Sequence, residues 1–273
     1  MRRRLTSILL HAVLVAGAVI TLVPLAWMVS ASLMPTGEAS AYPPSFLPSR
    51  VTTEHYRALF GSLNLGRCLL NSTLIATTAT ALCLFLTSLA GYAFARLRFP
   101  GRDRIFRTLL AGMVIPAQVA MLPLFLLLKS MGLVNTYWGV LVPYLAPIFG
   151  IFMIRQYALS VPTDLLDAAR VDGAGELWVY WHVVLPLCRP ILVTLAVFVF
   201  MGTWNDFMWP LIELTDDRLY TLPVALANLV GEHAQDTELM MAGSVLTVLP
   251  VLLLFLALQR HYVEGIMMGG VKE

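Results

Sequence analysis

The residues best placed to do chemistry stand in one segment, Asp167 to Pro186, which reads DAARVDGAGELWVYWHVVLP and lies between two long apolar runs. Its chemistry is docking, not catalysis. Pro162 suits a first helical turn, and Asp164 and Asp167 place negative charge near a positive helix end, so the spacing predicts a short helix from about Thr163 to Val171. Asp172-Gly173 then offers backbone tolerant of left-handed geometry, which ends it. Leu166, Ala168 and Ala169 give this helix a small-residue face able to sit close inside another protein's groove. Beyond Gly175, Leu177, Tyr180, Trp181 and Val184 recur at helical spacing and predict a second amphipathic helix stopped at Leu185-Pro186. The alternative is a plain pair of surface helices that joins two spans.

Other chemistry lacks support in the sequence. No G-x-x-x-x-G-K-[ST] run exists to cradle phosphates, so the chain by itself is not a P-loop ATPase and is expected to be no enzyme. The histidines His11, His55, His182, His233 and His261 form no H-E-x-x-H pair and join no nucleophile motif, and they read as loop or interfacial residues. Cys68, Cys83 and Cys188 are scattered, which implies buried thiols and neither a disulfide framework nor a metal site.

The elements that position the segment are set by composition. Hydrophobic residues make up 59% of the 273 and charged residues 12%, against about 25% charged in soluble domains. Such a chain belongs in a bilayer. Six apolar runs reach the roughly 20 residues a span requires: about 8–32, 69–93, 106–128, 138–159, 190–212 and 240–258. The third and fourth contain Pro116, Pro123, Pro143 and Pro147, which membrane helices tolerate. The expectation is an all-α, polytopic bundle of six transmembrane helices forming a single domain over 1–273, with the Asp167 loop at about 160–189. The first run follows Arg2–Arg4 like a signal peptide, but its length is that of an uncleaved span.

With the N-terminus inside, 13 of the 18 Lys and Arg residues fall on the cytoplasmic side. The positive-inside rule then places both termini and the Asp167 loop in the cytoplasm. The net charge is only +2, so the arginine clusters read as topology signals and lipid-headgroup contacts, with no nucleic-acid surface.

Inside the fifth run stand Asn205 and Asp206, and an ionisable residue within a span is a candidate for a translocation path. A structural cap near the outer interface is the equal alternative. Gln118, between Pro116 and Pro123, fits either a path or an inter-helix hydrogen bond. Val51–Phe60 reads as an amphipathic helix of the first outer loop, receiving a docking protein or lying on the bilayer surface.

The Asp167-Ala168-Ala169, Gly173 and Leu185-Pro186 spacing resembles the EAA loop of ABC-importer permeases, with Asp167 for Glu and Val183 for Ile. Beyond the loop, the chain is similar to the carbohydrate-uptake branch of that family, whose maltose-type permease subunit has six spans. Asn71-Ser72, Gly91-Tyr92-Ala93-Phe94-Ala95-Arg96, Phe99-Pro100-Gly101, Trp204-Asn205 and the ending through Gly269-Gly270-Val271-Lys272 carry that likeness. The resemblance implies an importer in a bacterial-type inner membrane that takes up a sugar or sugar-like solute. It implies a second homologous permease subunit, two ATP-binding subunits that hold the ATP and Mg, and an extracytoplasmic solute-binding protein. No cofactor is expected in this chain. Asp167, Ala168, Ala169, Arg170, Asp172, Gly173, Leu185 and Pro186 would couple it to the ATPase. Glycines and methionines in the stretch 260–273 read against a continuous helix, so Gly269, Gly270 and Val271 would form a flexible tail reaching the ATPase, or a frayed end. The rivals are a gradient-driven secondary transporter, against which the lack of a repeat and of charged spans argues, and an ABC permease for a non-sugar solute.

Overall fold

The computed structural model describes the chain apart from residues 1, 44, 62–63, 233–235 and 271–273, with backbone alone for 2–5, 230–232 and 258–270. Helix makes up 77% of the chain, and no strand occurs among the described residues. In chain order the helices are α1 (Arg2–Ala31), α2 (Glu54–Gly61), α3 (Leu65–Arg96), α4 (Arg102–Gly112), α5 (Ala117–Ser130), α6 (Tyr137–Leu141) and α7 (Ile148–Ser160). They continue with α8 (Thr163–Val171), α9 (Glu176–Val179), α10 (Leu185–Leu187), α11 (Arg189–Trp204), α12 (Met208–Glu213), α13 (Leu222–Glu232) and α14 (Thr237–Gly270).

Among the described residues, three helices are single pieces long and apolar enough to cross a bilayer: Thr6–Ala31, Leu65–Arg96 and Thr237–Ala257. The other three expected spans are broken. The 106–128 run bends by 105° between α4 and α5 and the 138–159 run by 42° before α7, while the 190–212 run is interrupted after Trp204 and its first helix, α11, meets the preceding helix at 77°. Each bend has a proline at its hinge. Pro116 and Pro147 stand immediately before α5 and α7 with extended backbone, and Pro190 opens α11. A proline ring removes a backbone donor and pushes the preceding residue out of helical geometry, so a straight rod is not available at these points. The prolines inside α1, α5 and α14 are accommodated within continuous helix.

The chain falls into two compact units. Residues 1–67 with 222–251 make the first, in which Ala31, Met34 and Ala39 form a small core and the buried Glu238 accepts a hydrogen bond from the Ala39 amide at 2.6 Å. The helix expected over Val51–Phe60 begins at Glu54, and it buries Leu59 and His55, whose Nε2 lies 2.9 Å from the Met34 carbonyl. His55 is therefore a packed core residue rather than an interfacial one.

Residues 68–221 with 252–273 make the second unit, which holds the Asp167 loop. Asn71 fastens one end of it: its amide donates to the carbonyls of Arg218 and Tyr220 at 3.0 Å each, and the Tyr137 hydroxyl donates to its carbonyl oxygen at 2.8 Å. Ile75, Ala79, Leu128, Leu141, Trp209 and Leu214 pack beside this clasp. At the other end Tyr92, Ala95, Ala158 and Val161 form the floor on which the loop rests.

Candidate functional site

The short helix α8 runs Thr163–Val171, as its start and stop signals require. Gly173 follows at φ +85°, a left-handed position that costs an L side chain strain. The amides of Asp172, Gly173 and Ala174 return to the carbonyls of Ala168, Arg170 and Ala169 at 3.0 Å, which satisfies the last free acceptors of the helix.

The faces of α8 differ from the small-residue face expected. Leu166 is buried and Ala169 packs on the same core, so these two look inward. Asp164, Leu165, Asp167, Ala168, Val171 and Asp172 are exposed. Ala168 therefore belongs to the outward face, where the 164, 168, 171 and 172 spacing forms one stripe.

The second helix also differs. It starts at Glu176, but Tyr180–Val184 forms a π-helical turn and the helix continues through Pro186 to Leu187, ending at Cys188. Pro186 lies two residues beyond that turn, near the end of the helix. The wider turn rotates the buried stripe to Val179, Tyr180, Val184 and Cys188. Leu177 and Trp181 are thereby left outside, with Trp178 beside them, instead of sharing a face with Tyr180 and Val184. The loop thus exposes the apolar side chains of Leu165, Val171, Leu177 and Trp178.

Arg170, expected to couple the chain to the ATPase, holds this assembly together with Glu176, Tyr92 and Arg96, to which sequence reasoning gave no packing role. Arg170 donates to Asp167 at 3.0 Å within α8 and to Glu176 at 2.9 Å across the turn, so it staples the two helices. Arg170 first, and the Tyr92 hydroxyl second, hold the Glu176 carboxyl below the usual carboxylate range. Arg96, at the end of α3, donates to the carbonyls of Ala158, Leu159 and Val161 and to the Thr163 hydroxyl. It therefore satisfies the open carbonyl end of α7 and, through the Thr163 hydroxyl, ties that end to the first residue of α8. In the sequence Arg96 carries part of the family likeness and one of the basic charges; its position at the last turn of a span is the signal that it could cap a neighbouring helix.

The fifth run does not carry Asp206 inside a helix. α11 ends at Trp204, and Asp206 accepts from the amides of Met208 and Trp209 at 3.1 and 3.4 Å, capping α12, while the Tyr144 hydroxyl donates to its other oxygen. Asn205 is exposed and returns its amide to the Met201 carbonyl at 2.9 Å. Gln118 is exposed in the first turn of α5. Gly269 and Gly270 close α14, so the backbone there is helical rather than the interrupted tail expected, and Val271 and Lys272 lie outside the described residues.

The arrangement contains no catalytic constellation among the described residues, nor any group of His, Cys, Asp and Glu able to hold a metal. What it can do is present a rigid helical knob. Residues 84–267 match the family described as binding-protein-dependent transport system inner membrane component. The chain is 36% identical to the arabinooligosaccharides transport system permease protein of Halalkalibacterium halodurans, over 99% of each chain. It is 34% identical to the lactose transport system permease protein of Rhizobium radiobacter, over 100% of this chain and 98% of that one. Its fold is similar to a chain of a bacterial ABC transporter involved in the import of the acidic polysaccharide alginate, with a TM-score of 0.85, 23% identity, and 95% and 97% of the two chains covered.

Proposed function

Because this chain belongs to the family of binding-protein-dependent transport system inner membrane components, we propose that it is a permease subunit of an ATP-driven importer, forming half of the path for an oligosaccharide. It is a multi-pass inner-membrane protein, and the six-span topology with both ends in the cytoplasm is part of this proposal. The observation that carries the coupling role is the knob itself: α8 is stapled by Arg170, anchored by Arg96, and outwardly small at Ala168. A groove on an ATP-binding subunit accepts that face, and its movement on nucleotide binding is passed through Arg96 to α3 and α7. Asp167, Ala168, Arg170, Asp172 and Gly173 work at this contact, while Leu185 and Pro186 set the direction of α11. ATP and Mg belong to the partner subunits.

The remaining parts follow the same reading. A second, homologous permease completes the path, and an extracytoplasmic binding protein delivers the sugar. Two relatives named for arabinooligosaccharides and lactose favour a neutral oligosaccharide. Asn205 and Gln118 line the path, Asp206 fixes its outer wall by capping α12, and Gly269, Gly270 and Val271 extend toward the ATP-binding pair.

The test is reconstitution of the chain with its partner permease, ATP-binding subunits and binding protein in vesicles. Sugar uptake that requires internal ATP and persists in the presence of a protonophore is expected. Uptake that collapses with the proton gradient and ignores ATP would refute the proposal.

A further inference from the structure

Arg98, between α3 and α4, and Arg102, Arg104 and Arg107, in the first turns of α4, line with Phe99, Gly101 and Asp103 an open cavity of about 590 Å³. Only one carboxylate faces it. Asp103 pairs with Arg102 at 3.0 Å, and its backbone carbonyl accepts from Arg107 at 3.1 Å, so one negative charge stands against four positive ones. Arg102 is fixed further by the Leu97 carbonyl at 3.2 Å. Arg98 and Arg104 are exposed, and among the described residues their guanidinium groups meet no acceptor. The start of α4 adds free amides, because Gly101 brings no capping side chain.

The depth of this cavity is set by the helix that forms it. α4 carries all its charges in Arg102–Arg107 and none from Thr108 to Gly112, so its polarity changes along the axis and not only around it. Six residues rise about 9 Å, close to the thickness of one headgroup layer, roughly 5–8 Å. Phe99 and Ile105 are exposed among the arginines, and they suit glycerol and upper acyl carbons. Arg155 lies over the Phe106 ring at 4.2 Å and holds α4 to α7. An acidic protein face would match the charge, but it would not account for the apolar residues set between the cations or for the axial gradient.

We propose that this cavity binds the phosphate of an anionic phospholipid. The inference rests on the membrane placement of the chain and on no assumption about the solute. Fork-shaped guanidinium groups match phosphate oxygens, and Arg98 and Arg104 supply the free forks. A second cavity, of about 700 Å³, is lined by Arg98, Arg102, Asp167, Arg170 and Glu176 among others. It shares Arg98 and Arg102 with the first, so an occupied headgroup site adjoins the base of α8, and bound lipid is expected to raise coupled ATP hydrolysis.

The assembled complex would be placed in nanodiscs of phosphatidylcholine with a minor fraction of spin-labelled phosphatidylglycerol or spin-labelled phosphatidylcholine. Selective immobilisation of the anionic label is expected, falling about tenfold in affinity in the Arg98→Gln/Arg104→Gln variant and recovering in part in Arg98→Lys/Arg104→Lys. Arg50→Gln/Arg57→Gln, on a different loop, should leave it unchanged. Equal retention of both lipids by the wild type overturns the proposal. Displacement of the label by inorganic phosphate at matched ionic strength would make the site one for a soluble anion, and loss of the ATP-binding subunits from the variant with unaltered lipid selectivity would make it a protein contact; either result overturns it. Lipid selectivity is read without transport, so a failure of the importer reading leaves this outcome separately visible.

Discussion

Arg170 shows how little energy a decisive contact requires. Its pairs with Asp167 and Glu176 are exposed, and such pairs contribute about 0–1 kcal/mol to stability. Their value lies in geometry, since a force on α8 reaches the next helix only if the turn between them does not yield. Glu176→Gln should leave thermal stability nearly unchanged and lower the sugar stimulation of ATP hydrolysis severalfold. Exchanging the charges as Arg170→Glu with Glu176→Arg should restore part of it, and full stimulation in Glu176→Gln would refute the staple. Glu213 is the opposite case. It is fully buried with neither carboxylate oxygen partnered among the described residues, and burial pushes its carboxyl up from 4.5 to about 7. The neutral acid is the form this site accepts, so stability should be full below about pH 4.5 and fall as the pH rises through 7. Glu213→Gln, uncharged throughout, should flatten that fall in melting curves taken from pH 5 to 9; an unchanged slope would exclude the assignment. Asp172-Gly173 was legible in the sequence because a turn is written in neighbouring residues. Glu213 was not, because its burial is imposed from far along the chain: a Cβ on Gly139 would stand 1.9 Å from its Oε1.

Among the elements, α8 separates local from tertiary information most clearly. Its bounds follow from Pro162 and Gly173, but which alanine faces outward depends on where Leu166 finds its core. This gives a discriminating pair of substitutions. Ala168→Trp adds bulk on the exposed stripe, so the isolated chain should melt within about 0.5 kcal/mol of wild type while failing to retain the ATP-binding subunits on purification. Ala169→Trp drives the ring into the core of the second unit, where overpacking costs about 1–3 kcal/mol, and should first lower yield and melting temperature. Retention of the subunits by Ala168→Trp would show that the docking face lies elsewhere. The π-helical turn at Tyr180–Val184 escaped sequence reading for a related reason. Its residues repeat with ordinary helical spacing, and the extra width is fixed by partners on another helix: Ser88 bonds the Tyr180 hydroxyl at 2.7 Å, and the Tyr92 ring lies 5.5 Å from that of Tyr180.

For the whole molecule, mean polarity made the membrane class plain, whereas hydropathy treats a span as a rod and so cannot see the three hinges at Pro116, Pro147 and Pro190. The hinges leave the number and direction of crossings to be fixed by charge, and 13 of 18 basic residues favour the side that holds the Asp167 loop. The three native cysteines are all buried, so the wild-type chain should be nearly silent to a membrane-impermeant maleimide. Single cysteines can then be added without first removing them. Thr36 and Thr215 are exposed on the loops assigned outward, and Asp172 is exposed on the loop assigned inward; Ala174 is a poorer site because it packs on the core. Thr36→Cys and Thr215→Cys should react in spheroplasts within minutes, and Asp172→Cys only after permeabilisation. Should Asp172→Cys react first in intact spheroplasts, the loop would face outward, the basic residues would lie on the wrong side, and α8 could not be the element that meets a cytoplasmic ATPase.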